Sequence, residues 1–117
     1  MFIVTIVLAV LLALGYGASG LQKVTGSESG LKSADHVGVS HGRWKAIGGL
    51  EILAAVGLLV GLAVWPLGVA AGIGLVLLMA GAITYHLRAG DSAKLFGPAA
   101  IFGLLSLVEV IVRAASA

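Results

Sequence analysis

The chain has 117 residues, of which 60% are hydrophobic and 10% are charged, with 18 glycines, no cysteine and a net charge of +2. A small soluble domain has a high surface-to-volume ratio and needs a polar shell; seven basic and five acidic side chains cannot build one, and the mean hydropathy is +1.15. These figures exclude a soluble globular enzyme, a disordered chain, a disulfide framework and thiolate chemistry, and so small a net charge argues against nucleic acid as a partner.

A membrane-spanning helix needs about 20 apolar residues, because a rise of about 1.5 Å per residue must cross about 30 Å of hydrocarbon. Four stretches qualify, at residues 2–21, 44–64, 67–87 and 98–117. They predict an all-α membrane protein: one domain over 1–117, built as an antiparallel bundle of four transmembrane helices. No Lys or Arg precedes the first stretch. It therefore reads as a spanning helix and not as a secretory signal, which opens on a basic segment.

Residues 22–43 form the long polar loop, with a turn-rich stretch from Gly26 to Gly30 and a short interfacial piece expected over 31–37. Ser40 is placed to cap the second helix through its hydroxyl. Trp65-Pro66 reads as a very short link, which makes the second and third helices antiparallel neighbours, with Pro66 opening the third. Residues 89–97 read as a polar turn, with Pro98 opening the fourth helix in the same way.

Four spans put the first and third connections on one side of the membrane. That side collects Lys23, Lys32, Arg43, Lys45, Arg88 and Lys94, whereas Arg113 lies on the other. The positive-inside rule then makes the loops 22–43 and 88–97 cytoplasmic and both termini external. Trp44, Tyr85 and Trp65 fall where interfacial aromatic belts are expected. Gly57 with Gly61, Gly68 with Gly72, and Gly15 with Ser19 space small residues four apart. Such faces let helix backbones approach closely, within one bundle or between copies of the chain.

An ionisable side chain inside a span is costly and marks a functional-site candidate. Glu51 is the clearest, seven residues beyond Trp44 and so about 10 Å along the helix. The third helix returns toward the same side with Tyr85, His86 and Arg88, and Lys23 arrives there at the exit of the first. A cluster of Glu51, His86, Arg88, Lys23 and Tyr85 can hold the polar head of a quinone or similar ligand while the bundle holds its apolar part. Glu51 and His86 can also exchange protons as an acid–base pair, or Glu51 can serve only as half of an interhelical salt bridge. Glu109 and Arg113, four apart with the acid first, suit a self-neutralising intrahelical pair or a docking point for a partner subunit. His36, His41 and His86 share the basic side, but their spacing matches no metal motif, and no metal is expected.

Three stretches carry a family resemblance: Gly20-Leu21-Gln22-Lys23; Ile47-Gly48-Gly49-Leu50-Glu51-Ile52-Leu53 followed by Gly57-Leu58-Leu59-Val60-Gly61; and Leu77-Leu78-Met79-Ala80-Gly81-Ala82 followed by His86-Leu87-Arg88-Ala89-Gly90-Asp91. In order and spacing the chain resembles the DoxX-like family of small four-helix membrane proteins. The resemblance implies a bundle in the cytoplasmic membrane, with Lys23, Glu51, His86 and Arg88 at the family's polar positions. Relatives take their names from a thiosulfate:quinone oxidoreductase subunit or are associated with membrane redox and stress-response assemblies. The absence of cysteine argues against sulfur-relay chemistry in this chain.

The expectation is a non-catalytic membrane subunit or binding module. Its partners would be the lipid bilayer, an apolar small molecule of quinone type, and a membrane redox partner or a second copy of the chain. The alternatives are a small membrane enzyme using Glu51 and His86 on a lipid-soluble substrate, or a transporter component in which Glu51 and Glu109 mark steps on a pathway.

Overall fold

The computed structural model describes residues 2–117 and is helical throughout, with α1 (Phe2–Val24), α2 (Glu28–Val37), α3 (His41–Val60), α4 (Trp65–Arg88) and α5 (Ala93–Ala115). The four long helices pack in a closed ring. α1 packs most extensively on α3 and α4 on α5, and thinner seams join α3 to α4 and α1 to α5. The extra element is α2, a ten-residue helix in the polar loop where only a short interfacial piece is expected from the sequence.

Three helices, α1, α4 and α5 from Lys94 onward, are long and apolar enough to cross a membrane. α3 is not among them, because its 20 residues include Arg43, Lys45 and Glu51. The exterior suits lipid: Ile3, Leu53 and Leu77 each leave about two thirds or more of their surface uncovered. In water such a surface would drive aggregation, whereas in a bilayer it meets acyl chains at no cost.

The interior follows from periodicity. On α1 the buried residues are Thr5, Ala9, Leu12, Ala13, Tyr16 and Gly20, a stripe at three- and four-residue intervals. Leu58, Leu75, Met79 and Ala55 meet that stripe from α3 and α4. Small residues set how closely the helices cross. A Cβ on Gly20 would stand 2.5 Å from the Gly48 carbonyl oxygen, so α1 and α3 cross backbone to backbone there. Gly61 and Gly68 do the same at the α3–α4 turn, where a Cβ on Gly61 would strike the Gly68 backbone.

Two connections differ from the sequence expectation. The α3–α4 turn is made by residues 61–64, and Trp65-Pro66 already belongs to the first turn of α4, where Pro66 lacks no bond it could have made. α5 starts at Ala93, so Pro98 lies inside it and does not open it. The turn is then only 89–92, with Gly90 at φ 76° reversing the chain. Ser40 does cap α3, its hydroxyl accepting from the Arg43 amide at 3.3 Å.

Candidate functional site

The Gly20–Gly48 crossing creates the centre of the site. One turn beyond each glycine stand Lys23 and Glu51. Side chains on a helix lean toward its N-terminus, and the two helices run in opposite directions, so these two lean toward each other. Lys23 Nζ donates to Glu51 Oε1 at 2.5 Å and to Ser19 Oγ at 2.8 Å, while lying 5.0 Å from the centre of the Trp44 ring. Glu51 is 1% exposed and Lys23 14%. Gly48 makes this possible, since a Cβ there would fall 2.6 Å from the Lys23 Cβ.

The pair forms part of the wall of a cavity of about 900 Å³ at this end of the bundle. Tyr16 and Ser19 of α1 line it, with Met79, Ala82 and Tyr85 of α4 and Phe102 of α5. The walls are mainly apolar, with charge confined to a few points. Tyr16 donates its hydroxyl hydrogen to Ser106 Oγ at 2.8 Å, because the Ser106 hydroxyl already donates to the Phe102 carbonyl. Its ring packs edge-on against Phe102.

A second polar group stands at the mouth. The Asp91 amide closes the end of α4 on the His86 carbonyl at 3.0 Å, which brings the Asp91 carboxylate beside the His86 ring. His86 Nδ1 and His36 Nε2 both donate to that carboxylate at 2.7 Å, one to each oxygen. Hydrogen bonds from His86, and then from His36, hold the Asp91 carboxyl below the ordinary aspartate range.

The structure thus brings Lys23 and Glu51 into contact and lines one cavity with Lys23, Glu51, Tyr85 and His86. Arg88 is absent from that cavity: it sits exposed at the end of α4, because its position in the last turn points to the outer face. Glu51 and His86 are each engaged elsewhere, with Lys23 and Asp91. Nothing in the sequence joins Asp91 to His36, because their contact depends on α2 folding back over the bundle. In the sequence Ser19 reads as a small residue spaced from Gly15, and Trp44 as a belt residue on the helix face of Glu51.

At the opposite end the expected pairing of Glu109 with Arg113 is not made. Arg113 Nε donates to the Gly61 carbonyl at 2.8 Å, and its Nη1 donates to Ser116. The Arg113 guanidinium also lies 5.4 Å from the centre of the Phe2 ring. Glu109 accepts instead from the Thr5 hydroxyl, and its Oε2 is buried without a partner. The Gly61 carbonyl, buried at the C-terminal end of α3 where no intrahelical donor reaches it, takes the guanidinium, and the Glu109 carboxylate one turn away does not. His41 pairs with Asp35, and among the described residues no group of three or more His, Cys, Asp or Glu is placed to hold a metal ion.

Comparison with curated proteins and with solved structures gave no match. Comparison with families did: the DoxX-like family matches residues 7–108, from the first turns of α1 through most of α5. The match takes in Lys23, Glu51, His86 and Asp91, so the whole cavity lies within it. With its helical ring, its lipid-compatible exterior and a match over most of its length, the chain is a membrane protein and belongs to the DoxX-like family.

Proposed function

We propose that the protein is a non-catalytic binding module for a lipid-soluble molecule with a polar head, of quinone type, within a membrane redox assembly. The observation that carries this reading is the 900 Å³ cavity with apolar walls and a buried Lys23–Glu51 pair at its side. Its volume falls in the range of small-molecule sites, and few, well-placed polar groups in an apolar pocket are how such sites orient a ligand. Lys23, Ser19 and Tyr85 supply donors for a carbonyl or hydroxyl, and Met79, Ala82 and Phe102 take the ring. Arg88 lies outside this site and serves the headgroup region instead.

The reading includes the bilayer. α1, α3, α4 and α5 cross as a four-helix bundle, with Arg43 and Lys45 of α3 in the headgroup layer and Glu51 neutralised by Lys23. The basic loops face the cytoplasm and the termini face outward, by the charge asymmetry. A binding role is favoured over acid–base catalysis because Glu51 and His86 each have their own partner.

The test uses Trp44, which lines the cavity. In a Trp65→Phe background, detergent-purified protein is titrated with a short-chain quinone while Trp44 emission is followed. Saturable quenching is expected, weakened about tenfold by Lys23→Met or Glu51→Gln, as for loss of one charge-assisted hydrogen bond. Quenching that is linear and identical in all variants refutes the site. Turnover of a co-extracted lipid would establish the enzyme reading in its place.

A further inference from the structure

We propose that α2 is a hinged lid over the cavity, latched by His36 on Asp91, and that the ligand enters and leaves beneath it; this rests on reading the cavity as a ligand site. Ser29, Gly30, Ser33, His36 and Val37 of α2 line the cavity, so the helix forms part of its wall. A glycine in the left-handed region flanks it on either side, Gly26 at φ 67° and Gly38 at φ 75°. At such positions the backbone turns without a Cβ clash, and a rigid segment between two of them can swing as a unit.

Little apolar surface holds α2 down. Of its ten residues only Gly30 and Ala34 are buried, neither with a large side chain. Segments with few buried apolar contacts are the ones that open locally. The helix itself is well closed, with Ser27 capping Gly30 N and with the amides of Gly38 and Val39 bonded to the carbonyls of Asp35 and Ala34. It can therefore move without melting. The closed position also leaves a polar group unsatisfied: Trp44 Nε1 is buried without a partner, at a spot where a Cβ on Gly30 would come within 3.3 Å of it. Lifting α2 exposes that donor to water or to an incoming carbonyl.

The latch joins the two halves of the ring. α2 hangs from the α1–α3 pair, whereas Asp91 sits in the turn between α4 and α5, steadied from its own side by His86. Gln22 Nε2 donating to Ser29 Oγ at 3.2 Å and His41 Nε2 donating to Asp35 Oδ1 at 2.8 Å are further ties, to α1 and α3 and not across the ring. Releasing His36 therefore frees the edge of α2 that lies over the α4–α5 half.

The chain has no cysteine, so introduced thiols are unique. In full-length His36→Cys/Asp91→Cys protein, carried in the Trp65→Phe background, a short bis-maleimide with a reducible centre bridges the latch. Stopped-flow quenching of Trp44 then reads quinone entry and exit. Bridging is expected to slow both at least tenfold, and reduction of the bridge to restore them. His36→Ala, at an exposed position, is expected to speed both about fivefold with little change in Kd, the size of one exposed charge-assisted bond. Unchanged rates in the bridged protein overturn the lid. A second readout needs no ligand: maleimide labelling of Ala82→Cys, inside the cavity, should quicken about fivefold with His36→Ala. An unchanged labelling rate overturns the lid even where quinone binding fails, whereas failed quenching with quickened labelling overturns only the ligand assignment.

Discussion

Glu51 is a carboxylate 1% exposed in an apolar run, and Lys23 partners it. Two buried charges attract strongly but each loses its hydration, so the pair is worth far less than the loss caused by removing one member. Lys23→Met leaves Glu51 buried and unpaired and is expected to cost about 3–5 kcal/mol. The double variant Lys23→Met/Glu51→Leu, which buries no charge, is expected to recover most of that loss. Unfolding in mixed detergent–denaturant measures both, and a double variant no more stable than Lys23→Met refutes the argument. Glu51 stood out in the sequence as an acid in an apolar run. Its partner was only one of several candidates, because four cationic or donor side chains arrive at the same membrane side and only the crossing selects among them.

At the scale of elements, the α1–α3 crossing and the docking of α2 set the site. Gly20→Ala inserts a Cβ against the Gly48 carbonyl, which is backbone and cannot swing aside. It is expected to cost about 1–3 kcal/mol, as overpacking does, and to loosen the Lys23–Glu51 pair. Gly74 is the control: nothing lies within 4 Å of a Cβ there, so Gly74→Ala is expected to be neutral or to gain up to about 1 kcal/mol of helix propensity. Equal losses at the two positions would show that the crossing has no special closeness. The docking of α2 carries a pH dependence through Asp91. Its carboxyl is held below the ordinary range by His86 and His36, so its contribution is present above the unfolded value, near about 4, and is lost as pH falls through the lower folded value. Trp44 emission in the Trp65→Phe background is expected to stay flat from pH 7 to about 4 and to change below it. Asp91→Asn should abolish that change; a transition that persists in Asp91→Asn assigns it elsewhere.

For the whole molecule, composition and apolar length were enough to read a helical membrane protein, because a bilayer demands long apolar helices whatever their partners. Helix starts are legible in the sequence where a side chain makes the cap, as Ser40 does for α3, and at Pro66, which lies in the first turn of α4, but not at Pro98. Pro98 lies inside α5, past the first turn where a missing N–H costs nothing, so it stands near the start of the helix without marking it. The Glu109–Arg113 pair was misread for a related reason: spacing of four makes contact available, but the Gly61 carbonyl competes for Arg113 from another helix. By itself the sequence determined the apolar exterior, the stripe of small residues and the gathering of charge at one end, all of which are properties of single helices in lipid. Only the tertiary structure decided that Gly20 meets Gly48, that Lys23 rather than Arg88 answers Glu51, and that His36 crosses the mouth to Asp91. These are contacts between residues far apart in the chain. They depend on which helix faces which, and in lipid that choice rests on close packing and polar pairing, which periodicity along one helix does not encode.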